Sequence, residues 1–364
     1  MNMKIGIVTL PLGGNFGGIL QNYALQQVLV KMGHAPITFN VQTYDWLYYL
    51  KALALSIFQG LKTGEVQFPV TPTRLLRKQK KMRQFIRQYI EITDVIKKYS
   101  MNEVEKNDIS AIIVGSDQVW RASYNKNIND RFLGFVTDAN IRCIAYAASF
   151  GTSLWEVNEL EKDKCKRNIK NFRAVSVREF EGVEICKKEL DIDASFVLDP
   201  TLLVEQKDYL NLCMDIQAHD VGKKIFAYLL DLSNEKVAIL QSVASRMGLE
   251  LDIMSSDSKL ESTLGPKEWM AKIRDARYII TDSYHGTVFS LIFNKNFCTI
   301  LNSKRGLSRF STLFKTFDLE DRFITSYSEL KTFDFSSEID YYSVNKILAK
   351  RKNESLSFLK EALQ

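Results

Sequence analysis

A chain of 364 residues, 46% apolar and 25% charged, is ordinary for a soluble globular protein and long for a single core, so two domains are expected. Its net charge of +6 suits an anionic substrate or a membrane surface. It is too small for this length to point to nucleic acid, and neither zinc-finger spacing nor an aromatic RNA-binding signature is present. Five scattered cysteines without a C-x-x-C pair read as reduced, structural thiols of a cytoplasmic protein. The opening residues show no signal-peptide plan, and no uninterrupted apolar run approaches the ~20 residues of a membrane span.

In chain order, "KIGIVTL" reads as a strand running into glycine turns. The helix "GGILQNYALQQVLVKMG" follows, with Leu20, Ala24, Leu25, Val28 and Leu29 at helical spacing and Gly33 as its stop. After the strand "APITFNV", a helical insertion over about 44–106 breaks the alternation. Its first part, "YDWLYYLKALALSIFQGLK", is aromatic and apolar, and six of the ten residues 74–83 are basic. Residues 44–90 are therefore either a helical cover for the sheet or a surface for peripheral contact with an anionic membrane. The strands "AIIVGS", "CIAYAAS", "AVSVRE" and "SFVLD" come next, with "NELEKDKCKRNIKNF" as a helix among them.

Beyond "LDPTLL" a second βαβα series runs through "KIFAYLL", "LELDIM", "RYIIT" and "FCTIL", with helices "EKVAILQSVASRMG", "PKEWMAKIRDA" and "TVFSLIF" between them. Strands alternating with helices imply parallel sheets covered on both faces. The expected fold is α/β, with two Rossmann-like domains over 1–200 and 201–339 facing a cleft, and a long amphipathic helix over 340–364. Ligands of such sheets bind beyond the carboxyl ends of the strands, so the loops there hold the candidate chemistry.

The loop "TDSYHG" lies between the strand "RYIIT" and the helix "GTVFSLIF". A helix N-terminus there offers unpaired N–H groups to an anion, Gly286 allows close approach to the backbone, and His285 can exchange a proton near neutral pH. The competing reading is a histidine hydrogen-bonded inside a domain interface, with Asp282 capping the helix. "AIIVGSDQVW" delivers Ser116, Asp117 and Gln118 at the end of another strand, with Trp120 behind. Asp117 is a candidate base or sugar-hydroxyl acceptor and Trp120 a candidate stacking platform; an Asx turn and a core tryptophan are the alternative. "PLGGNFGG" is not G-x-G-x-x-G and is weak evidence for a dinucleotide; Asn15 is its candidate side chain. Arg178 follows "AVSV", and Lys304, Arg305 and Arg309 follow "FCTIL", each either a cation for the cleft or a solvated charge. The D-x-D of Asp191 and Asp193 falls at the amino edge of the sheet and is set aside, so no metal site is expected. His34 and His219 fall in turn-like segments.

"NFGGILQNYALQ", "GSDQVW", "AYAASFG", "VSVRE", "LDPTLL" and "TDSYHGTVFSLIF" occur in the order in which the polysaccharide pyruvyl transferase family carries them. The resemblance runs from Lys4 to about Arg322; each motif is weak alone, and six in order are specific. It implies a GT-B-like fold and transfer of a pyruvyl group from phosphoenolpyruvate to two hydroxyls of a sugar or lipid-linked oligosaccharide. The product is a cyclic ketal in a surface or capsular polysaccharide precursor, and phosphoenolpyruvate is a co-substrate with no further cofactor. The Arg-x-His pair of the family aligns on His285, which with Asp117 is assigned the acid–base role for this chemistry. Ser283, Gly286 and Thr287 would hold phosphate, and Asn15, Gln118 and Trp120 would face the acceptor. Many members carry Arg-x-His where this chain has Ser283, so Arg178, Lys304, Arg305 and Arg309 are candidates to supply that cation. Two rivals are a nucleotide-sugar glycosyltransferase of the same fold and a non-catalytic glycan-binding protein.

Overall fold

The computed structural model describes residues 2–41, 46–63, 68–69, 71–125, 127–218, 220–255, 264–301 and 306–364. The first sheet contains β1 (Lys4–Val8), β2 (Ala35–Val41), β3 (Ile92–Ile96), β4 (Ala111–Val114), β5 (Arg142–Ala148), β6 (Phe172–Val177) and β7 (Ser195–Phe196). All are parallel, in the order 3-2-1-4-5-6-7. The second sheet contains β8 (Lys224–Leu229), β9 (Glu250–Ser255), β10 (Tyr278–Thr281), β11 (Asn296–Ile300) and β12 (Phe323–Ile324). Also parallel, it follows the order 9-8-10-11-12. The first order is the Rossmann one and the second the flavodoxin-like one, and each reverses direction once: between β1 and β4, and between β8 and β10. This is the two-sheet, GT-B-like α/β fold expected from the sequence. The strands β3 and β12 are additions; β3 lies inside the segment read as a helical insertion and pairs with β2 at the sheet edge.

The two sheets share a core. Helix Phe16–Lys31 is buried on nearly every side because it packs under the first sheet and against the second half together. Phe16 stacks on Trp269 with ring centroids 5.6 Å apart, and Tyr23 and Phe289 both contact Tyr209. Several of its buried amide groups are paired: Gln26 Nε2 donates to Thr38 Oγ1 and the Glu91 carbonyl, and Thr38 Oγ1 donates to Asn22 Oδ1. Such pairing removes the cost of burying them and fixes the helix on β2. Separate apolar clusters cover the far face of each sheet. The long helix Tyr341–Leu363 returns to the first half, where Ser355 Oγ accepts from the Leu198 N–H and Phe358 meets Tyr146. All five cysteines are buried thiols, and no helix among the described residues is long and apolar enough to cross a membrane.

Candidate functional site

The two direction reversals face each other across a cavity of about 230 Å³. Leu10, Gly14 and Asn15 beyond β1, and Asp117 and Gln118 beyond β4, form one wall. Tyr228 and Leu230 of β8 and its loop, with Asp282, Ser283, Tyr284 and His285 beyond β10, form the other; Arg309 and Phe310 close it. The volume lies below the ~300–1,000 Å³ of drug-sized sites and suits a small ligand or a single sugar hydroxyl edge.

His285 comes from the second half and is held by the first. A Cβ on Gly17 would lie 2.0 Å from His285 Nδ1, so the imidazole packs directly on that glycine's backbone. Its Nε2 is 3.8 Å from Asp199 Oδ2, a separation for charge attraction rather than a hydrogen bond. The ring is 5% exposed, so it is both a domain-interface histidine and part of the cavity wall. Gly17→Ala should therefore push the ring aside. Overpacking costs about 1–3 kcal/mol, and a misplacement near 1 Å costs roughly 10²-fold in rate; thermal unfolding and turnover, measured together, check both.

Behind the histidine lies a buried ionic cluster. Arg178 donates to Asp199 Oδ2 at 2.5 Å, to Asp117 Oδ1 at 3.2 Å and to Ser116 Oγ at 3.2 Å. Ser116 Oγ donates to Asp199 Oδ2 at 2.9 Å, and Thr201 donates to Asp199 Oδ1 through both its backbone N–H and its hydroxyl. Burial opposes ionisation of Asp199, but His285 and Arg178 outweigh it and hold the carboxyl well below the usual range. Asp117 reaches this position with φ of +75°, a left-handed conformation that aspartate tolerates better than most residues. The guanidinium groups of Arg178 and Arg309 lie 4.8 and 5.2 Å from the Tyr284 ring centre, so the tyrosine is flanked by two cations. Burial lowers the pKa of Arg309, and Arg178 adds to the effect. Gly306, at φ of +88°, meets the Gly151 carbonyl across the two halves, which seats the helix Leu307–Phe317 carrying Arg309.

Several sequence-based expectations change here. Arg178 does not line the cavity, because its charge is spent on Asp117 and Asp199. Trp120 is buried, stacks on Phe132 and donates its indole N–H to the Arg131 carbonyl, so it offers no face to a sugar. Ser283, not Asp282, caps the helix Tyr284–Ile292, and its hydroxyl accepts from the Gly286 N–H. Asp282 instead accepts from the Leu230 N–H and joins the two loops of the second reversal. The Thr287 N–H donates to the Ser283 carbonyl and its hydroxyl meets Thr299, so neither Gly286 nor Thr287 presents a spare N–H. Gly286 is small because a Cβ would meet Thr281 Oγ1 at 2.4 Å. Asn15 lines the cavity while capping helix Phe16–Lys31, and Gln118 lines it while accepting from Arg121. Lys304, Arg305 and His219 lie outside the described residues.

Asp199, Gly17 and Tyr284 are additions. The signal for Asp199 is present in the sequence, since "SFVLD" ends a strand at the carboxyl edge and "LDPTLL" is one of the six ordered motifs. Gly17 and Tyr284 act through packing across the two halves, which no local pattern records.

Residues 15–304 match the family model described as polysaccharide pyruvyl transferase. Comparison with curated proteins gives no match. Similar solved structures include a mutant O-GlcNAc transferase from Thermobaculum terrenum, at 10% identity and TM-score 0.47, covering 100% of this chain and 67% of that one. The UDP-GlcNAc 2-epimerase of Methanocaldococcus jannaschii, solved with UDP-GlcNAc and UDP, is 11% identical at TM-score 0.49, covering 96% and 99%. The spinosyn rhamnosyltransferase SpnG is 9% identical at TM-score 0.46, covering 99% and 96%. At such identities and scores none of these bears on substrate.

Proposed function

The chain belongs to the polysaccharide pyruvyl transferase family, and from that premise we propose that it transfers the enolpyruvyl-derived group of phosphoenolpyruvate to two hydroxyls of one sugar. In the reaction the methylene carbon of the donor gains a proton and the adjacent carbon becomes oxocarbenium-like. One sugar hydroxyl adds to that carbon and loses its proton. Phosphate then leaves with the bridging oxygen, and a second hydroxyl of the same sugar adds and closes the ketal. One acid–base group and a charged pocket suffice for these steps.

The observation that carries the reading is the single imidazole of His285 on the cavity wall, backed by Asp199 and flanked by Arg309. His285 is the proton donor and acceptor. Asp199, kept ionised by Arg178, stands 3.8 Å from the imidazole Nε2 and backs the ring. Arg309 supplies the positive charge that Ser283 does not, to the donor's phosphate or carboxylate. Asp117 and Asp282 have the wrong sign for an anionic donor. Asp282 is taken by the Leu230 N–H, and Asp117 faces the cavity beside Gln118 and Asn15, where a hydroxyl of the acceptor finds a proton acceptor.

The test is phosphate release from phosphoenolpyruvate in the presence of galactosyl, glucosyl and mannosyl acceptors, with nucleotide sugars as the competing donors. Acceptor-dependent phosphate release supports the proposal. Consumption of a nucleotide sugar with phosphoenolpyruvate left intact would replace it with a glycosyltransferase.

A further inference from the structure

The segment 46–90 contains nine basic residues and one acidic residue, whereas the whole chain exceeds neutrality by only +6. The remainder of the molecule is therefore slightly acidic, and the net positive charge of the protein resides in this one segment. Among its described residues, Arg74, Arg77, Lys80, Lys81 and Arg87 are exposed on the helices Pro72–Lys78 and Lys80–Tyr89. The preceding helix, Trp46–Thr63, sets Leu50, Ala54, Ile57 and Leu61 on one stripe at i, i+4, i+7 and i+11, and all four face solvent. Leu61 is 81% exposed, and Phe68 between the helices is 74% exposed. A helix of a soluble protein ordinarily turns such a stripe inward.

An apolar stripe beside a cationic surface is complementary to an anionic lipid bilayer: leucine and phenylalanine side chains enter the acyl boundary while basic groups meet the headgroups. Its position is also informative. Gln79, between the two basic helices, packs on Gly13 and Gly14, and Gly14 lines the cavity. Lys81 pairs with Glu268 of the second half. The surface thus borders the rim of the site.

We infer that the helices Trp46–Thr63, Pro72–Lys78 and Lys80–Tyr89 dock the protein on an anionic bilayer, an inference that does not rest on the transferase reading above. Full-length protein should sediment with vesicles of equal parts phosphatidylcholine and phosphatidylglycerol, and not with phosphatidylcholine alone. Each basic side chain removed should weaken binding about fivefold, so combining Arg74→Ala, Arg77→Ala and Lys80→Ala should cost roughly a hundredfold. Leu50→Gln with Leu61→Gln should also release the protein, with circular dichroism unchanged. Transfer to a water-soluble acceptor should be unaffected in both variants, so that failure of docking and failure of the chemistry are separable. Equal sedimentation with both vesicles, no loss in the triple variant, or a concentration-dependent dimer abolished by the leucine changes would overturn the inference.

Discussion

His285→Gln should lower turnover by about 10²–10⁴-fold, the range over which a positioned proton-transfer group contributes. Its unfolding midpoint should stay close to that of the parent. The ring's Nε2 makes no hydrogen bond, and Asp199 keeps its bonds from Arg178, Ser116 and Thr201, so the substitution leaves that carboxylate paired. Glutamine keeps a polar side chain of similar reach against Gly17 but cannot donate a proton to carbon. Turnover near that of the parent would remove the histidine from the reaction, whatever the acceptor.

The largest effect on stability should follow Arg178→Met. The guanidinium joins Asp117 and Asp199, and all three are almost fully buried. Removing one partner of a buried ion pair costs about 3–5 kcal/mol, because the remaining charge is left in a poorly solvating medium. The pH dependence has a definite sign. With Arg178 present, Asp199 has a folded-state pKa held below its unfolded value. It therefore stabilises the parent above the unfolded pKa of roughly 4, and that contribution fades only as pH falls through the lower folded value. Without Arg178, burial is opposed only by His285 and Thr201, so Asp199 ionises less readily in the folded variant than in the parent. The deficit of the variant should then be greatest near neutrality and shrink on acidification through about 4 and below. Denaturant unfolding at several pH values measures this, and a deficit that grows on acidification would show that the cluster does not act as described. Arg178→Lys should recover only part of the loss, because one ammonium cannot span Asp117, Asp199 and Ser116 as the forked guanidinium does.

Much of the architecture was legible because both sheets are parallel and buried. Such strands read as short β-branched runs separated by helical periodicity, and "KIGIVTL", "AIIVGS" and "RYIIT" all fall on observed strands. The strand β3 escaped notice: its sequence "ITDVI" sits at a sheet edge, where half the side chains meet solvent, and it follows two basic helices. At the site, the rule that ligands bind beyond strand carboxyl ends led to Asn15, Asp117 and His285, all of which line the cavity. It could not say how each would be used. Arg178 looked like a free cation because its two carboxylate partners come from a different strand end and from the link after β7. Thr287 and Gly286 looked like anion ligands because the capping role of Ser283 depends on a rotamer, not on spacing. Trp120 looked like a platform because sequence does not reveal which face of a strand-end loop turns inward.

The helix Tyr341–Leu363 closes the first half with residues encoded far downstream of it: Ser355 bonds Leu198 across 157 positions. During synthesis, Tyr146 and its neighbours in β5 must wait for this segment, long after their own strands have left the ribosome. An apolar seam on the nascent chain stays uncovered for that interval, so high contact order is built into one face of the first sheet. Chaperone demand during expression should consequently track the arrival of these residues, not completion of the first seven strands.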